Sequence, residues 1–517
     1  MPNADIYLIN PRGILFGQNA TLNVPGSFYA SSADQIILED GTTFSATNPQ
    51  NDPPILSAEP FSAFGFLDDD TPPAPISITG SQFQVSAGKT FALVGGEITI
   101  NGAKISGGQG IEIESRNAAP ITVTNSTIMA QGEGRIFFRS GQLVVRNNST
   151  IEVKSESAGG RIEVDVTEMQ LTDSIIRLNP IGGSDAGSIL IGMGHLNSLN
   201  LTNSKILGIT LGSKKGGDIK IKAANSITFS DNSQLNVRSS ASGDAGSVDI
   251  DTSSLSLTNL SVIDASTFGT GNAGEIQIKV ANGITLEDNS FLIVTSFGKG
   301  IGSGDAGSIA IETGSLSLTN SSFIGASTFG PGKAGEIQIK AANSITLEDE
   351  SSLNVDMGDK IILGEEIDSG DAGSLAIETG DLSLTNSSFI KTTTSGTRKG
   401  GNIELDITNL ELTNGSGILA TTSGPGKAGD IQIKAANSIT LEDESFLSVA
   451  TFGEEIGSGD AGSLTIDTGS LSLTNSNIGT TTSGAGNAGS VQIKAANSIT
   501  LVSESGLVVG ISLYQMN

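Results

Sequence analysis

A small-residue anchor of the form G-x-A-G recurs along most of the chain, and it constrains the fold more than any other feature. Its last glycine falls at Gly187, Gly217, Gly246, Gly274, Gly307, Gly335, Gly373, Gly401, Gly429, Gly462 and Gly489, reading K-G-G at Gly217 and Gly401. Weaker anchors precede these at Gly134 and Gly160. Successive intervals from Gly187 are 30, 29, 28, 33, 28, 38, 28, 28, 33 and 27 residues. A fixed period of this length is the mark of a solenoid, in which each unit buries its apolar face only against its neighbours.

Each unit holds three short runs of alternating apolar residues. After Gly307 these are Ile309/Ile311, Leu316/Leu318 and Phe323-Ile324; after Gly335 they are Ile337/Ile339, Ile345/Leu347 and Leu353/Val355. Period-2 alternation bounded by Gly, Asn, Ser and Thr reads as strand. No helical spacing survives for two turns anywhere. The fold class expected is therefore all-β: a single-stranded parallel β-helix with three short strands per coil of about 28 residues. Stacking at about 4.8 Å per coil gives the repetitive part a length on the order of 60 Å.

The coils come in two versions, S-I-A-I-E-T-G-S-L-S-L-T-N-S after Gly307 and E-I-Q-I-K-A-A-N-S-I-T-L-E-D-E after Gly335, which mostly alternate. Extra residues fall at one corner, at Lys299–Ser303, Gly358–Ser369 and Glu454–Ser458, as loops on one edge would. The fifth residue after each anchor alternates in charge through Lys222, Asp251, Lys279, Glu312, Lys340, Glu378, Asp406, Lys434, Asp467 and Lys494. One like-charge step, Glu378/Asp406, falls where two coils of the first version follow one another. Such a ladder penalises a one-coil slip and reads as register control; the alternative is duplication history with charges that only solubilise. A second ladder, Asn259, Asp288, Asn320, Asp349, Asn386, Asn414, Asp443 and Asn475, follows the second strand. These residue types tolerate the left-handed conformation and bond their own turns, so the ladder reads as structural.

Composition removes several function classes. Among 517 residues there are no Cys, no Trp and one histidine, His195, which excludes a zinc finger, an iron–sulfur site or a thiol nucleophile and reads as a surface or turn residue. The net charge of −28 argues against nucleic acid and anionic membrane as main partners. No run of 18 apolar residues supplies a membrane span. No basic segment followed by an apolar one opens the chain, so no signal peptide is visible.

Before Gly134 the repeat blurs, and three motifs stand out: N-P-R-G-I-L-F-G at 10–17, N-A-T-L-N-V-P-G-S-F at 19–28 and G-K-T-F-A-L-V-G-G-E-I at 88–98. They resemble the N-terminal secretion (haemagglutination activity) domain of filamentous haemagglutinin-like exoproteins, the TpsA partners of two-partner secretion. The repeats with S-x-I-x-x-T-T resemble those of cyanobacterial members. The resemblance implies a right-handed β-helix, with residues 1–133 a partial secretion domain carrying excursions at 47–75 and residues 134–517 the repetitive helix of alternating coils. It places Asn10, Pro11, Gly13, Ile14, Phe16 and Gly17 in the secretion motif, with Arg12 where Asn is usual. It implies an outer-membrane TpsB transporter as partner, an extracellular or outer-membrane-surface location, and adhesin-like function in cell contact. It also implies a start truncated relative to the family, upstream of which a signal peptide is expected, and a chain that stops mid-coil.

No enzyme is expected. A lyase or glycosidase on this scaffold needs clustered carboxylates, and here acids recur evenly; Glu365, Glu366 and Asp368 form the one unusual cluster. A non-functional remnant is the other alternative. The G-S-G-D-A-G-S segments at 302–308 and 457–463 lack the spacing of a calcium-binding β-roll, and one Asp per coil cannot supply six to eight oxygens, so no metal or cofactor is expected. Exposed Ser, Thr and Asn rows could hydrogen-bond glycans or cell-surface polymers.

Overall fold

The computed structural model describes residues 4–52, 59–68, 71–155, 159–181, 184–298, 304–356, 361–362, 365–366, 372–395, 397–452, 459–483 and 486–511. Among the described residues no α-helix forms, and a 3-10 turn at Pro49–Asn51 is the one helical segment. The chain is all-β, built of long stacks of parallel strands compatible with a β-helix. It divides into two compact units, Met1–Gly208 with Gly217–Ser226, and Ile209–Gly216 with Ile227–Asn517.

In the first unit the opening repeat supplies strands Ile6–Ile9, Ile14–Phe16 and Thr21–Val24. They pair in parallel with Phe28–Ser31, Ile76–Thr79 and Gln82–Val85 of the next repeat. Between Ser31 and Ile76 the chain leaves the stack, and Gln35–Leu38 pairs antiparallel with both Thr43–Ser45 and Phe61–Gly65. Phe61 of this excursion packs on Tyr7 and Tyr29, ring centroids 5.0 and 5.5 Å away. The later repeats carry the alternating apolar residues inward. Ile98, Ile100, Ile105, Ile111, Ile113, Ile121, Val123 and Ile128 are all fully buried. Each contributes roughly 1.5–3 kcal/mol of hydrophobic burial, an upper bound for an extended reference chain.

In the second unit the first and second runs are not separate strands. They fuse into single strands such as Ser308–Leu318 and Glu336–Leu347, each pairing in parallel with its equivalent in the next repeat. The third run stays separate, as at Phe323–Gly325 and Ser352–Asp356. The fusion departs from the three separate strands expected, and the reason lies where the two runs join. The E-T-G-S version carries one residue there, Gly314, between the paired positions Thr313↔Ala341 and Ser315↔Ser344. The K-A-A-N-S version carries two, Ala342 and Asn343, and the surplus is absorbed as a bulge rather than a turn.

The bulge also restricts the repeat that follows it. Its carbonyl projects at the neighbour, so a Cβ on Gly314 would lie 2.2 Å from the Asn282 oxygen. On Gly380 it would lie 2.5 Å from that of Asn343, and on Gly469 2.3 Å from that of Asn437. Where two repeats of the first version adjoin, Glu378↔Asp406 to Asp381↔Asn409, the register runs without a shift and Thr408 replaces the glycine.

The anchor glycines stack one above another. A Cβ on Gly274 would lie 1.7 Å from the carbonyl oxygen of Gly246, on Gly307 1.7 Å from that of Gly274, on Gly373 1.6 Å from that of Gly335, and on Gly429 1.7 Å from that of Gly401. The first glycine of G-x-A-G forms a parallel column, with Gly271 against Gly243 and Gly304 against Gly271 at 2.1 Å. The alanine between them is buried and donates its N–H to the next repeat, Ala245 to Asn272 and Ala273 to Asp305, each at 2.9 Å.

Gly373→Ala is expected to lower the melting temperature by the equivalent of roughly 1–3 kcal/mol, because backbone must shift to admit the methyl group. Gly283→Ala, where the nearest atom lies 3.6 Å away, is expected to be neutral or to stabilise by about 0.4–1 kcal/mol. Thermal denaturation of the two variants side by side checks the contrast.

Candidate functional site

The segment from Asn10 to Gly17 is a tight turn leading into an apolar strand. Asn10 closes the turn, its carbonyl accepting the Gly13 N–H at 2.9 Å and its side-chain Oδ1 accepting the Arg12 N–H at 3.1 Å. Pro11 suits the second turn position because its φ is already fixed. Gly13 sits at φ +99°, and a Cβ there would meet the Pro75 carbonyl at 2.7 Å. Ile14 then donates to the same Pro75 carbonyl and pairs with Ile76. Phe16 joins an aromatic cluster with Phe83 at 5.0 Å and Phe28 at 6.3 Å. Gly17 faces open space, and Arg12 and Leu15 are exposed, Leu15 at 74%. The turn therefore presents a surface of Arg12, Leu15 and Gly17 on a half-buried footing of Ile14 and Phe16.

The alternating charges occupy directly opposed positions on the first run of each repeat. In the second unit Asp251 pairs with Lys279, Lys279 with Glu312, Glu312 with Lys340, Lys340 with Glu378, Asp406 with Lys434, Lys434 with Asp467, and Asp467 with Lys494. Ion pairs close at 3.8 Å for Lys279–Glu312, 3.2 Å for Lys340–Glu378 and 2.9 Å for Lys494–Asp467. Glu378 and Asp406 face each other as like charges. Lys222 lies in the first unit. The Asn/Asp series all adopts the left-handed conformation, with φ between 48° at Asn475 and 54° at Asp288 and Asn386. Amides reach the preceding repeat: Asn259 donates to Asp231 at 3.0 Å, Asn320 to Asp288 at 2.8 Å, Asn386 to Asp349 at 2.9 Å and Asn414 to Asn386 at 3.0 Å.

Sequence reasoning missed three further columns. Fully buried serines follow the left-handed pairs, and the hydroxyls of Ser290, Ser322, Ser351 and Ser416 accept a backbone N–H from the preceding repeat, as from Ser261 to Ser290 and from Ser290 to Ser322, both 3.2 Å. The variable residue of G-x-A-G also ladders: Asn272 N–H donates to the Asp244 carboxylate at 2.7 Å and Asp305 N–H to the Asn272 side chain at 2.9 Å. Both follow from a small polar residue at a fixed offset from the anchor, a signal present in the sequence. The third column is aromatic. Phe268, Phe297 and Phe329 stack at 4.7 and 5.3 Å, with Arg238 at 5.4 Å from the Phe268 ring. Phe297 is stacked on both faces and Phe268 lies between Phe297 and Arg238.

A separate polar cluster lies in the first unit. Arg135 and Arg139 flank the Phe137 ring at 4.6 and 4.9 Å. Arg135 reaches Glu163, and Arg139 reaches Glu114 and Asp165 at 3.5 and 3.4 Å. His195 is exposed, its Nδ1 3.2 Å from Asp165. Glu365–Glu366 pairs as a short antiparallel strand with Ile361–Ile362; Asp368, the loops at 299–303 and 454–458, and the first residues of both G-S-G-D-A-G-S segments lie outside the described residues. Among the described residues no group of three His, Cys, Asp or Glu side chains gathers as a metal site. No helix is long and apolar enough to cross a membrane, which says nothing of strands.

Lys340→Glu would place three acids in succession, between Glu312 and Glu378. It is expected to cost roughly 0.4–2 kcal/mol, two exposed pairs, more at low salt than at high. Asp406→Lys is expected to be near neutral, because it only moves the like-charge step from Glu378 to Lys434. Melting curves at two ionic strengths separate these outcomes from charges that merely solubilise.

Asp264 is buried, beside Arg238 at 3.5 Å and bonded by the Ser266 N–H at 2.8 Å. Burial pushes its carboxyl above the ordinary range, against the Ser266 hydrogen bond and the Arg238 charge. A raised folded-state pKa makes a contribution that is complete below the unfolded value and lost as pH rises through the folded value. Asp264→Asn is therefore expected to raise the melting temperature at pH 7 and to lose that advantage below about pH 4.

Comparison with protein families finds a match to the TPS secretion domain over residues 2–191. No curated protein matches the chain. The matched span holds the Asn10–Gly17 turn, the antiparallel excursion and the Arg135–Phe137–Arg139 cluster. Over residues 2–191, and over that span alone, the chain is thus similar to the TPS secretion domain, consistent with a TpsA-like exoprotein.

Proposed function

We propose that the protein is a secreted exoprotein of a two-partner secretion system, a right-handed parallel β-helix of about 28 residues per coil whose N-terminal domain is recognised by an outer-membrane TpsB transporter. The observation that carries this reading is the TPS secretion domain match over residues 2–191, which contains the Asn10–Gly17 turn. The repetitive part acts at the cell surface or outside the cell in adhesion, without catalysis. Supporting this, its acids recur as ladders tied to structure: Asp231, Asp288, Asp349 and Asp244 each hold a neighbour's amide or N–H. The absence of Cys suits passage of an unfolded chain through an outer-membrane pore, since no disulfide can form beforehand.

The turn separates recognition from folding. Arg12, Leu15 and Gly17 supply exposed surface for a transporter, whereas Ile14 and Phe16 hold the strand in place. The test is co-expression of the full chain, carrying an export signal, with and without a TpsB transporter, followed by measurement of protein in the medium. Transporter-dependent release is expected, and Arg12→Glu with Leu15→Glu is expected to reduce it at least tenfold at an unchanged melting temperature. Release independent of the transporter, or unaffected by the double variant, would contradict the reading. Attachment of the purified, labelled protein to cells tests the adhesive role.

A further inference from the structure

The outward side of the second run carries a feature that neither secretion nor folding uses. In the second unit this side places Ser256, Thr285, Ser317, Thr346, Ser383, Glu411, Thr440, Ser472 and Thr500 in one continuous register, each opposite the next. The flanking Leu316 and Leu318 point into the core, as do Ile345 and Leu347 in the next repeat. The row is thus held on a rigid backbone at a spacing of about 4.7–4.9 Å. Glu411 is its single charged member.

These hydroxyls differ from the buried serines at the corners of the second unit. Those at the corners, such as Ser261, Ser290 and Ser322, are buried and bonded between repeats. Those of the row are half-buried, with Thr500 exposed, and have no side-chain hydrogen bond inside the protein among the described residues. Each therefore offers one donor and acceptor lone pairs outward. Two residues further on, about 6.4–6.8 Å away, Thr258, Glu287, Thr319, Glu348, Thr385, Thr413, Glu442 and Thr474 form a second outward row. Its carboxylates recur with the K-A-A-N-S version, so over most of the row hydroxyl and carboxylate alternate every two repeats, about 9.4–9.8 Å.

We propose that this two-row face binds a neutral, extended, β-linked glycan laid along the stacking direction of the repeats; the proposal rests on the adhesive reading above. A linear sugar chain presents hydroxyls that both donate and accept, which matches the first row. Its ribbon repeats every two sugars at close to the two-repeat spacing, which matches the carboxylates of the second, each able to accept from sugar hydroxyls. The charge points the same way: a chain of net charge −28 with acids on this face repels polyanions and leaves neutral polymers. Single hydroxyl contacts are weak, but a row of them bonding one polymer acts by avidity. The Phe268, Phe297 and Phe329 rings stack on one another, and no aromatic residue belongs to either row, so recognition on this face falls to hydrogen bonds rather than ring stacking.

The test is co-sedimentation of the full chain with insoluble cellulose and chitin, with a neutral α-linked glucan and with alginate as comparisons. Ser317→Lys, Thr346→Lys and Thr440→Lys together obstruct the face; Gln277→Lys, Gln338→Lys and Gln432→Lys add the same charge on the first run. Binding to cellulose or chitin is expected, reduced at least tenfold by the first triple variant and retained by the second, with melting temperatures alike. Equal binding by both variants, no binding to any β-linked neutral glycan, or preference for alginate would overturn the proposal. If labelled protein still attaches to cells in any of those cases, the adhesive reading stands and only the glycan face falls.

Discussion

Direct backbone contact at the G-x-A-G corner is the constraint on which the second unit depends. The carbonyl oxygen of one anchor glycine occupies the place where the next would carry a Cβ, at 1.6 to 2.2 Å from Gly274 through Gly489. No side chain can enter that column without moving main chain. The alanine N–H groups then bond the following repeat, and the variable residue caps the next N–H. A corner built this way fixes the height of each repeat against its neighbour. The strands on either side inherit their register from it. The abundance of glycine, 67 of 517 residues, follows in part from this geometry rather than from low complexity.

The alternation of the two repeat versions adds a second level of matching. The bulge at Ala342-Asn343 pushes a carbonyl toward Gly380, and Asn282 does the same to Gly314. A repeat with a bulge is thus followed by a glycine-bearing one, as Asn437 is by Gly469. The opposed charges, such as Lys340 and Glu378 at 3.2 Å, reward the same order, though each exposed pair contributes only a fraction of a kcal/mol. The sequence of repeats changes parity at Glu378 and Asp406, and there both devices lapse together: no register shift, no glycine at Thr408, and like charges face to face.

Much of this was legible from residue order. Inward Ile and Leu follow from period-2 alternation, and the Asn and Asp residues at the corner adopt φ near 50° because their types tolerate it. The Asn10–Gly13 turn was visible as N-P-R-G. What was not legible depends on contacts between repeats. The fused strand at Ser308–Leu318 cannot be read from a glycine that looks like a turn, because only the bulge opposite shows that Gly314 is a place of close approach. The buried Ser261, Ser290 and Ser322 look like ordinary turn serines until their partners about 30 residues away are known. The Phe268–Phe297–Phe329 stack was hidden for the same reason, its members being isolated aromatics along the chain.

The central claim is that the anchor corner is structural backbone stacked repeat on repeat, not a loop. Amide hydrogen exchange on the full chain tests it most directly, read at Ala245, Ala273, Ala428 and Ala461, whose N–H groups bond the next repeat at 2.9, 2.9, 2.9 and 2.8 Å. Protection as strong as that of strand amides such as Ile337 and Ile339 is the expected result. Exchange of these corner amides at the rate of an exposed loop, with the strand amides still protected, would contradict it.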